Sequence, residues 1–127
     1  MTVPYAILTR RSDFLAANRG LRVARPGFVL LANANGGQGQ RVGITVTKKI
    51  GNAVVRNRMK RRFRALLRDV LPGHGLADTD HVLIGRENGV ERDFGLLREE
   101  LVAALGHARA GKGDPARRKG PSRRKRK

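Results

Sequence analysis

The chain has 127 residues, which is the size of one domain, and it contains no cysteine. Its formal net charge of +18 indicates an anionic partner. The lack of cysteine excludes disulfides and thiolate chemistry, and with no signal-like segment it predicts a cytoplasmic protein. The charge is uneven. Residues 1–68 hold 15 basic residues and one acidic residue, residues 69–108 hold 3 and 8, and residues 109–127 hold 10 and 1. Two segments are therefore expected to face a polyanion.

The N-terminal third predicts a short helix and a strand. Ser12 and Asp13 are typical of a helix start, and the apolar residues after them predict a short helix that ends near Gly20. Phe28–Ala32 is continuously apolar, which predicts a strand whose two faces both need cover. Residues 33–40 are rich in Asn and Gly and predict a flexible hairpin loop to the next strand.

A second strand and a long helix follow. Arg41 to Thr47 alternates between apolar and small or polar residues, as a strand does. Asn52 is a candidate N-cap, and Pro72 with Gly73 is expected to stop the helix. At 100° per residue the apolar side chains form one stripe. The stripe consists of Val55, Met59, Phe63, Leu66, Leu67 and Val70.

The rest of this helix surface is almost wholly basic. From Lys48 to Arg68 there are nine Lys or Arg residues and no acidic residue. A solvated helix normally mixes charges of both signs, because pairs of opposite charge four residues apart stabilise it. The repulsion among these side chains would be relieved by phosphate groups, so the helix is predicted to bind a polyanion.

The C-terminal part predicts a third strand, a second amphipathic helix and a tail. His81–Gly85 forms the strand, and Phe94 to Leu105 gives the helix its apolar positions. From Gly106 onwards Pro, Gly and charge dominate, and a disordered basic tail is predicted. We therefore expect a domain at 1–108 and a tail at 109–127, either an RNA-binding arm or a variable extension.

The central run carries a family resemblance. The segment RVGITVTKKIGNAVVRNRMKRRFRALL, Arg41 to Leu67, resembles the signature of the bacterial ribonuclease P protein component, and weaker similarity covers Arg10–Gly20, Pro26–Ala32 and Asp80–Gly89. The order of strands and helices favours an α/β fold in which helices pack on a sheet. The resemblance implies a two-layer α+β sandwich with a left-handed crossover through the Arg-Asn-Arg helix. General handedness rules favour the right hand, so this detail rests on the resemblance alone.

The resemblance also implies an accessory role. In ribonuclease P the RNA subunit, with Mg²⁺ bound mainly to the RNA, hydrolyses the phosphodiester that joins the 5′ leader to precursor tRNA. This chain would be the protein subunit of a 1:1 ribonucleoprotein, with no catalytic residue, no metal ligand and no membrane contact of its own. The residues that carry over to binding of the catalytic RNA are Arg56, Asn57, Arg58, Lys60, Arg61 and Arg64.

A second set carries over to a cleft for the single-stranded leader. Its members are Phe14, Val29, Leu31, Thr45 and Lys49. For Phe14 and Val29, burial in an ordinary core explains the residue type equally well. Asn18 stands where the family often has a second aromatic residue, and Leu31 stands where it can have Tyr. The leader site is therefore expected to be less aromatic and weaker per contact.

Autonomous nuclease chemistry has little support in the sequence. Such an enzyme needs clustered carboxylates for metal ions or a pair of histidines for acid–base work. Asp78, Asp80 and His81 lie close together, but they enter a strand from a turn, where Asp commonly satisfies loop backbone groups. His74 and His107 have no partners at ligand spacing and are expected at the surface.

Two other classes of basic protein remain as alternatives. Composition alone favours a small ribosomal or RNA-chaperone protein, and a membrane-surface or DNA-coating protein is the other alternative. The full KKIGNAVVRNR context separates the ribonuclease P reading from these classes, because a generic basic protein has no reason to contain it. A membrane-surface helix would also need an exposed apolar stripe, whereas this stripe is needed by the core.

Overall fold

The computed structural model describes residues 5–111, which form a mixed five-stranded sheet with helices on both faces. The elements in chain order are β1 (Ala6–Ile7), α1 (Arg11–Ala17), β2 (Leu21–Arg25), β3 (Phe28–Ala34), β4 (Arg41–Thr45), α2 (Ala53–His74), β5 (Thr79–Gly85) and α3 (Phe94–Arg109). The predicted α+β class is confirmed. Most of the predicted tail lies outside the described residues.

The sheet order is β1-β4-β5-β3-β2, and it differs from the predicted hairpin. β5 lies between β3 and β4, antiparallel to the first and parallel to the second. The prediction that residues 33–40 join neighbouring strands is therefore wrong. The physical reason is the burial of β5, whose residues are nearly all covered on both faces and so belong at the centre of the sheet.

Two strands were not predicted. β1 is only two residues long and pairs in parallel with Arg41 and Val42. β2 forms a hairpin with β3 around Pro26 and Gly27 and is the opposite edge of the sheet. Its arginines interrupt the apolar run that signals a strand, although an edge strand needs only one apolar face.

The starts of α2 and α3 are as predicted, α1 begins one residue before the predicted Ser12, and two helix ends differ from the prediction. Asn52 caps α2, since its Oδ1 accepts a hydrogen bond of 3.0 Å from the Val55 N–H. The helix then continues through Pro72 to His74. Pro72 removes only the hydrogen bond to the Arg68 carbonyl, and both residues lie on the exposed side where water can replace it. α3 also runs further than expected, to Arg109, because Ala108 is buried.

The core has two parts, one on each face of the sheet. α2 and α3 cover the larger part, in which the rings of Phe28 and Phe63 meet edge to face at 6.4 Å. Five of the six residues of the predicted stripe are buried here, and Val55 is half-buried at the edge. α1 covers the smaller part. The prediction that Val29 and Leu31 need cover beyond the main core is confirmed, since both pack beneath α1.

α2 connects β4 to β5, which are parallel neighbours. The crossover implied by the resemblance is therefore present, and its hand stays a prediction. Within residues 5–111, none of the helices combines the length and the apolarity that crossing a membrane requires.

Candidate RNA-binding surface

The rotation of α2 about its own axis decides which basic residues face solvent. Met59, Phe63 and Leu66 are completely buried against the sheet, so the opposite side of the helix must point away from the protein. As a result, this side of the helix exposes four of the predicted residues, Asn57, Arg58, Arg61 and Arg64. Arg56 and Lys60 lie at its margins and are half-buried.

Arg62 belongs to the fold rather than to this open side. Its Nη1 donates a hydrogen bond of 2.9 Å to the carbonyl of Val90, and its Nη2 donates to the carbonyl of Arg92. These contacts fasten the loop before α3 onto the middle of α2. The guanidinium therefore satisfies backbone groups and is not available to a phosphate in this arrangement.

Arg56 and Arg58 have one protein contact each. Nε of Arg56 donates to the carbonyl of Gly51 at 3.2 Å, which supports the turn before the helix. Arg58 forms an ion pair of 3.0 Å with Glu91, a side chain that is itself largely exposed. An exposed pair of this kind contributes little stability, so a phosphate could compete with Glu91 for Arg58.

The remaining basic residues of α2 define what we call the open basic face, which consists of Lys60, Arg61, Arg64 and Arg68. Within residues 5–111 none of them has an ion pair or side-chain hydrogen bond. Lys60, Arg64 and Arg68 follow one another at a spacing of four residues and so form a row along the helix. Four unpaired charges in this arrangement repel one another and favour an anionic ligand.

A groove runs between α1 and the end of β4, and we call it the α1–β4 groove. Its volume is 510 Å³, and Arg11, Phe14, Leu15, Thr45 and Lys60 contribute to its walls. The ring of Phe14 lies directly against β4 because Gly43 has no side chain; a Cβ there would be 2.6 Å from Cε1 of Phe14. The groove therefore offers one aromatic ring between cationic side chains.

The predicted leader residues occupy different depths. Phe14 and Thr45 line the groove, and Lys49 is exposed on the single turn of 3₁₀ helix, Lys48–Ile50, that follows β4. Val29 and Leu31 are only 5% and 3% exposed and pack with Ala17 under α1. The structure brings Phe14, Thr45, Val29 and Leu31 to the face of the sheet that α1 covers, with Val29 and Leu31 as its covered floor. Lys49 follows the end of β4 and is not among the residues that line the groove.

Sequence reasoning missed two neighbours of this site. Ile84 on β5 lies between Thr45 and Val29 in the strand register, and Ala24 on β2 lies beyond Val29. These four positions form a row across one face of the sheet. Ile84 and Ala24 are half-buried, so they extend the accessible surface beside α1. Alternation within β5 could have assigned Ile84 to the face opposite Leu83, but only the register identifies its neighbours.

Comparison with known proteins identifies the family. The ribonuclease P family model matches residues 4–109. The chain belongs to the ribonuclease P protein family. The ribonuclease P protein component of Erythrobacter litoralis is 75% identical over 119 residues, which cover 94% of this chain and 98% of that protein. The ribonuclease P protein component of Paramagnetospirillum magneticum is 43% identical over 104 residues, which cover 77% of this chain and 78% of that protein.

Solved structures of ribonuclease P proteins agree with this assignment. The structure of the protein from Staphylococcus aureus superposes on this chain with a TM-score of 0.68 and a sequence identity of 29%. The superposition covers 80% of this chain and 94% of the Staphylococcus aureus chain. The structure of the protein from Thermotoga maritima superposes with a TM-score of 0.67 and a sequence identity of 32%, and the superposition covers 79% of this chain and 94% of the Thermotoga maritima chain. As a ribonuclease P protein component, the chain is an accessory subunit in tRNA processing, and its partner in the ribonucleoprotein is RNA.

In this ribonuclease P protein the Asp78, Asp80 and His81 cluster has structural contacts. Asp80 is 2% exposed and accepts two hydrogen bonds from Arg41, of 2.7 Å and 2.8 Å, and a third from Asn35. Burial alone would raise the pKa of Asp80, but the hydrogen bonds from Arg41 and Asn35 outweigh it and lower the pKa. Asp78 accepts a hydrogen bond from the Gly39 N–H. The two carboxylates thus fasten the loop of residues 33–40 to β5.

His81 is completely buried and uses both ring nitrogens. Nε2 accepts a hydrogen bond of 3.0 Å from the Leu76 N–H, which assigns the proton to Nδ1, 3.2 Å from the Arg41 carbonyl. Burial lowers the pKa of His81, and the Arg41 carbonyl only partly opposes this shift. Among residues 5–111, no group of three His, Asp or Glu side chains could hold a metal ion.

Proposed function

We propose that the open basic face of α2 binds the catalytic RNA of ribonuclease P and that the α1–β4 groove holds the 5′ leader of precursor tRNA. In the proposed 1:1 ribonucleoprotein, which works in the cytoplasm, the RNA subunit and Mg²⁺ bound mainly to it hydrolyse the phosphodiester that releases the leader. The protein supplies positioning alone. The observation that carries the proposal is the division of one helix into arginines used by the fold and cations that have no partner within residues 5–111.

The chemistry of the open basic face suits phosphate. Guanidinium groups stay charged at any physiological pH and can bind phosphate oxygens through two parallel hydrogen bonds. Arg61 and Arg64 are exposed and have no ion pair or side-chain hydrogen bond in the part of the chain that the structure describes, so no such contact there is lost when they bind. Asn57 and Arg58 lie exposed at the N-terminal end of the same surface and extend it. Arg56 contributes from its margin, with Nη groups that remain after its Nε contact to Gly51.

The groove suits a single-stranded leader for a different reason. Stacking of a base on an aromatic ring contributes about 1–3 kcal/mol and does not depend on base identity. Phe14 offers such a ring, Thr45 can accept or donate one hydrogen bond, and Arg11 and Lys60 line the same groove. Lys49 adds an exposed cation on the turn that follows β4. Asn18 and Leu31 supply no second aromatic ring there, so we infer a sequence-tolerant leader site of modest affinity.

Cleavage assays test the whole proposal. The purified chain with precursor tRNA and Mg²⁺ should cut nothing, whereas addition of the RNA subunit should give 5′ cleavage with preference for precursor over mature tRNA. Combining Phe14→Ala with Lys49→Ala should reduce that preference. Phe94→Ala combined with Arg98→Ala is the matched control, since it removes an aromatic ring and a cation from α3.

Two results would contradict the proposal at different points. Specific 5′ cleavage by the protein alone, lost on Asp78→Asn, would overturn the accessory role. A preference for precursor that does not change when the leader is cut back to its last nucleotide would remove the groove from the leader and leave the RNA partner in place.

A further inference from the structure

A second cavity adjoins the α1–β4 groove, with which it shares Phe14, Ile44 and Lys60, and lies where α2 passes the edge of the sheet; we call it the edge cavity. β1 pairs with Arg41 and Val42, while β4 continues to Thr45, so beyond Val42 no strand of residues 5–111 pairs with the outer edge of β4. The opening has a volume of 280 Å³, and its apolar walls include Tyr5, Phe14 and Ile44. This volume is at the small end of ligand sites, suitable for one ring system with its substituents.

The aromatic residues of the chain are distributed in a way that singles this cavity out. There are four phenylalanines and one tyrosine, and tryptophan is absent. Phe28 and Phe63 are in the core, and Phe94 begins α3. The other two, Tyr5 and Phe14, line the edge cavity together. Burial raises the pKa of the Tyr5 hydroxyl although nearby Arg68 opposes the shift, so the ring stays neutral and suited to stacking.

Cations form the other wall of the edge cavity. Lys60, Arg64 and Arg68 all line it, and they are the row of the open basic face that follows α2 at intervals of four residues. None of the three has an ion pair within the described part of the chain. An apolar pocket with two aromatic rings beside a row of cations matches the chemistry of a nucleotide, in which a flat base is joined to a phosphate.

We propose that the edge cavity binds one unstacked nucleotide of the catalytic RNA, its base against Tyr5 and its phosphate on the row of Lys60, Arg64 and Arg68. The inference rests on the proposed function of the open basic face. It assigns the nucleotide to the catalytic RNA rather than to the leader because Arg64 and Arg68 line the edge cavity and do not line the α1–β4 groove. An RNA strand that follows this row passes directly over the opening.

Crosslinking by ultraviolet light, followed by mass spectrometry of the protein, tests the proposal on the full chain. The chain is bound either to the RNA subunit or to precursor tRNA, and the crosslinked peptides are sequenced. We expect a crosslink at Tyr5 with the RNA subunit. Tyr5→Ala should weaken binding of that RNA by roughly 5- to 150-fold, and Tyr5→Phe should retain it because the ring is kept. Phe94→Ala is the matched control and should leave affinity unchanged.

The possible results are distinct from failure of the proposed function. A Tyr5 crosslink to precursor tRNA alone, with unchanged affinity for the RNA subunit, would overturn the assignment to the catalytic RNA. Absence of any Tyr5 crosslink, with Tyr5→Ala behaving like Phe94→Ala, would overturn the nucleotide site itself. In either case the contribution of Arg61, which lies outside the cavity, measures RNA binding by the open basic face independently. If Tyr5→Ala fails to fold, the presence or absence of the Tyr5 crosslink to the RNA subunit decides.

Discussion

Arg61 and Arg62 are adjacent on α2, and we predict opposite consequences when each is replaced by Ala. Arg61 is exposed with no partner among residues 5–111, whereas Arg62 donates hydrogen bonds to the carbonyls of Val90 and Arg92. Each substitution removes the same charge from nearly the same place. A difference between them therefore separates RNA binding from stabilisation of the fold.

The expected magnitudes follow from these contacts. Arg62→Ala leaves two partly buried carbonyls without their donor, which should cost about 1–3 kcal/mol of stability and lower the melting temperature by several degrees. Arg61→Ala breaks no ion pair or side-chain hydrogen bond among residues 5–111 and should change stability by less than about 0.5 kcal/mol, or raise it slightly as repulsion falls. Combining Arg61→Ala with Arg64→Ala removes two candidate phosphate contacts. The slope of log affinity against log salt should then fall by about 1.4–1.8, roughly 25- to 60-fold in relative affinity for each tenfold change in salt.

Thermal denaturation and salt-dependent titration with the RNA subunit measure the two quantities separately. Arg61→Ala should lower the slope of log affinity against log salt and leave the melting temperature unchanged. Arg62→Ala should lower the melting temperature and have little effect on the slope. If Arg61→Ala unfolds the protein while the folded fraction binds RNA with unaltered salt dependence, the division of α2 into structural and RNA-binding residues is refuted.

Two further predictions concern the buried polar groups. Since the pKa of His81 is lowered in the folded state, stability should be constant above about pH 7 and fall as pH decreases below about 6.5, by at most about 1.4 kcal/mol per pH unit. Melting temperatures between pH 5 and about 8 measure this, and a slope that persists in His81→Gln would assign it to another group. Asp80→Asn should destabilise the fold by about 1–3 kcal/mol, because Arg41 loses the charge of its nearest carboxylate and keeps only its ion pair of 3.7 Å with Asp13. The folded fraction should still support cleavage by the RNA subunit, and loss of cleavage at full folding would show that the carboxylate acts in the reaction.

Local patterns in the sequence determined the features of α2. Its cap at Asn52, its apolar stripe and its almost wholly basic surface all depend on residues within a few positions of one another, which is the range over which helical geometry acts. The same holds for the need to cover Val29 and Leu31, because a continuous apolar strand has two faces wherever it is placed. The family could be named from these features, since the signature lies within one strand and one helix.

Tertiary structure alone decided how these parts meet. β5 entered the sheet between β3 and β4, and this register placed Ile84 between Thr45 and Val29. Alternation along a strand states which residues share a face but contains no information on the partner strand, because pairing joins residues far apart in the chain. Likewise, the basic residues of α2 look alike in sequence. Arg62 became part of the fold and Arg61 did not because the loop before α3 returns to one side of the helix only.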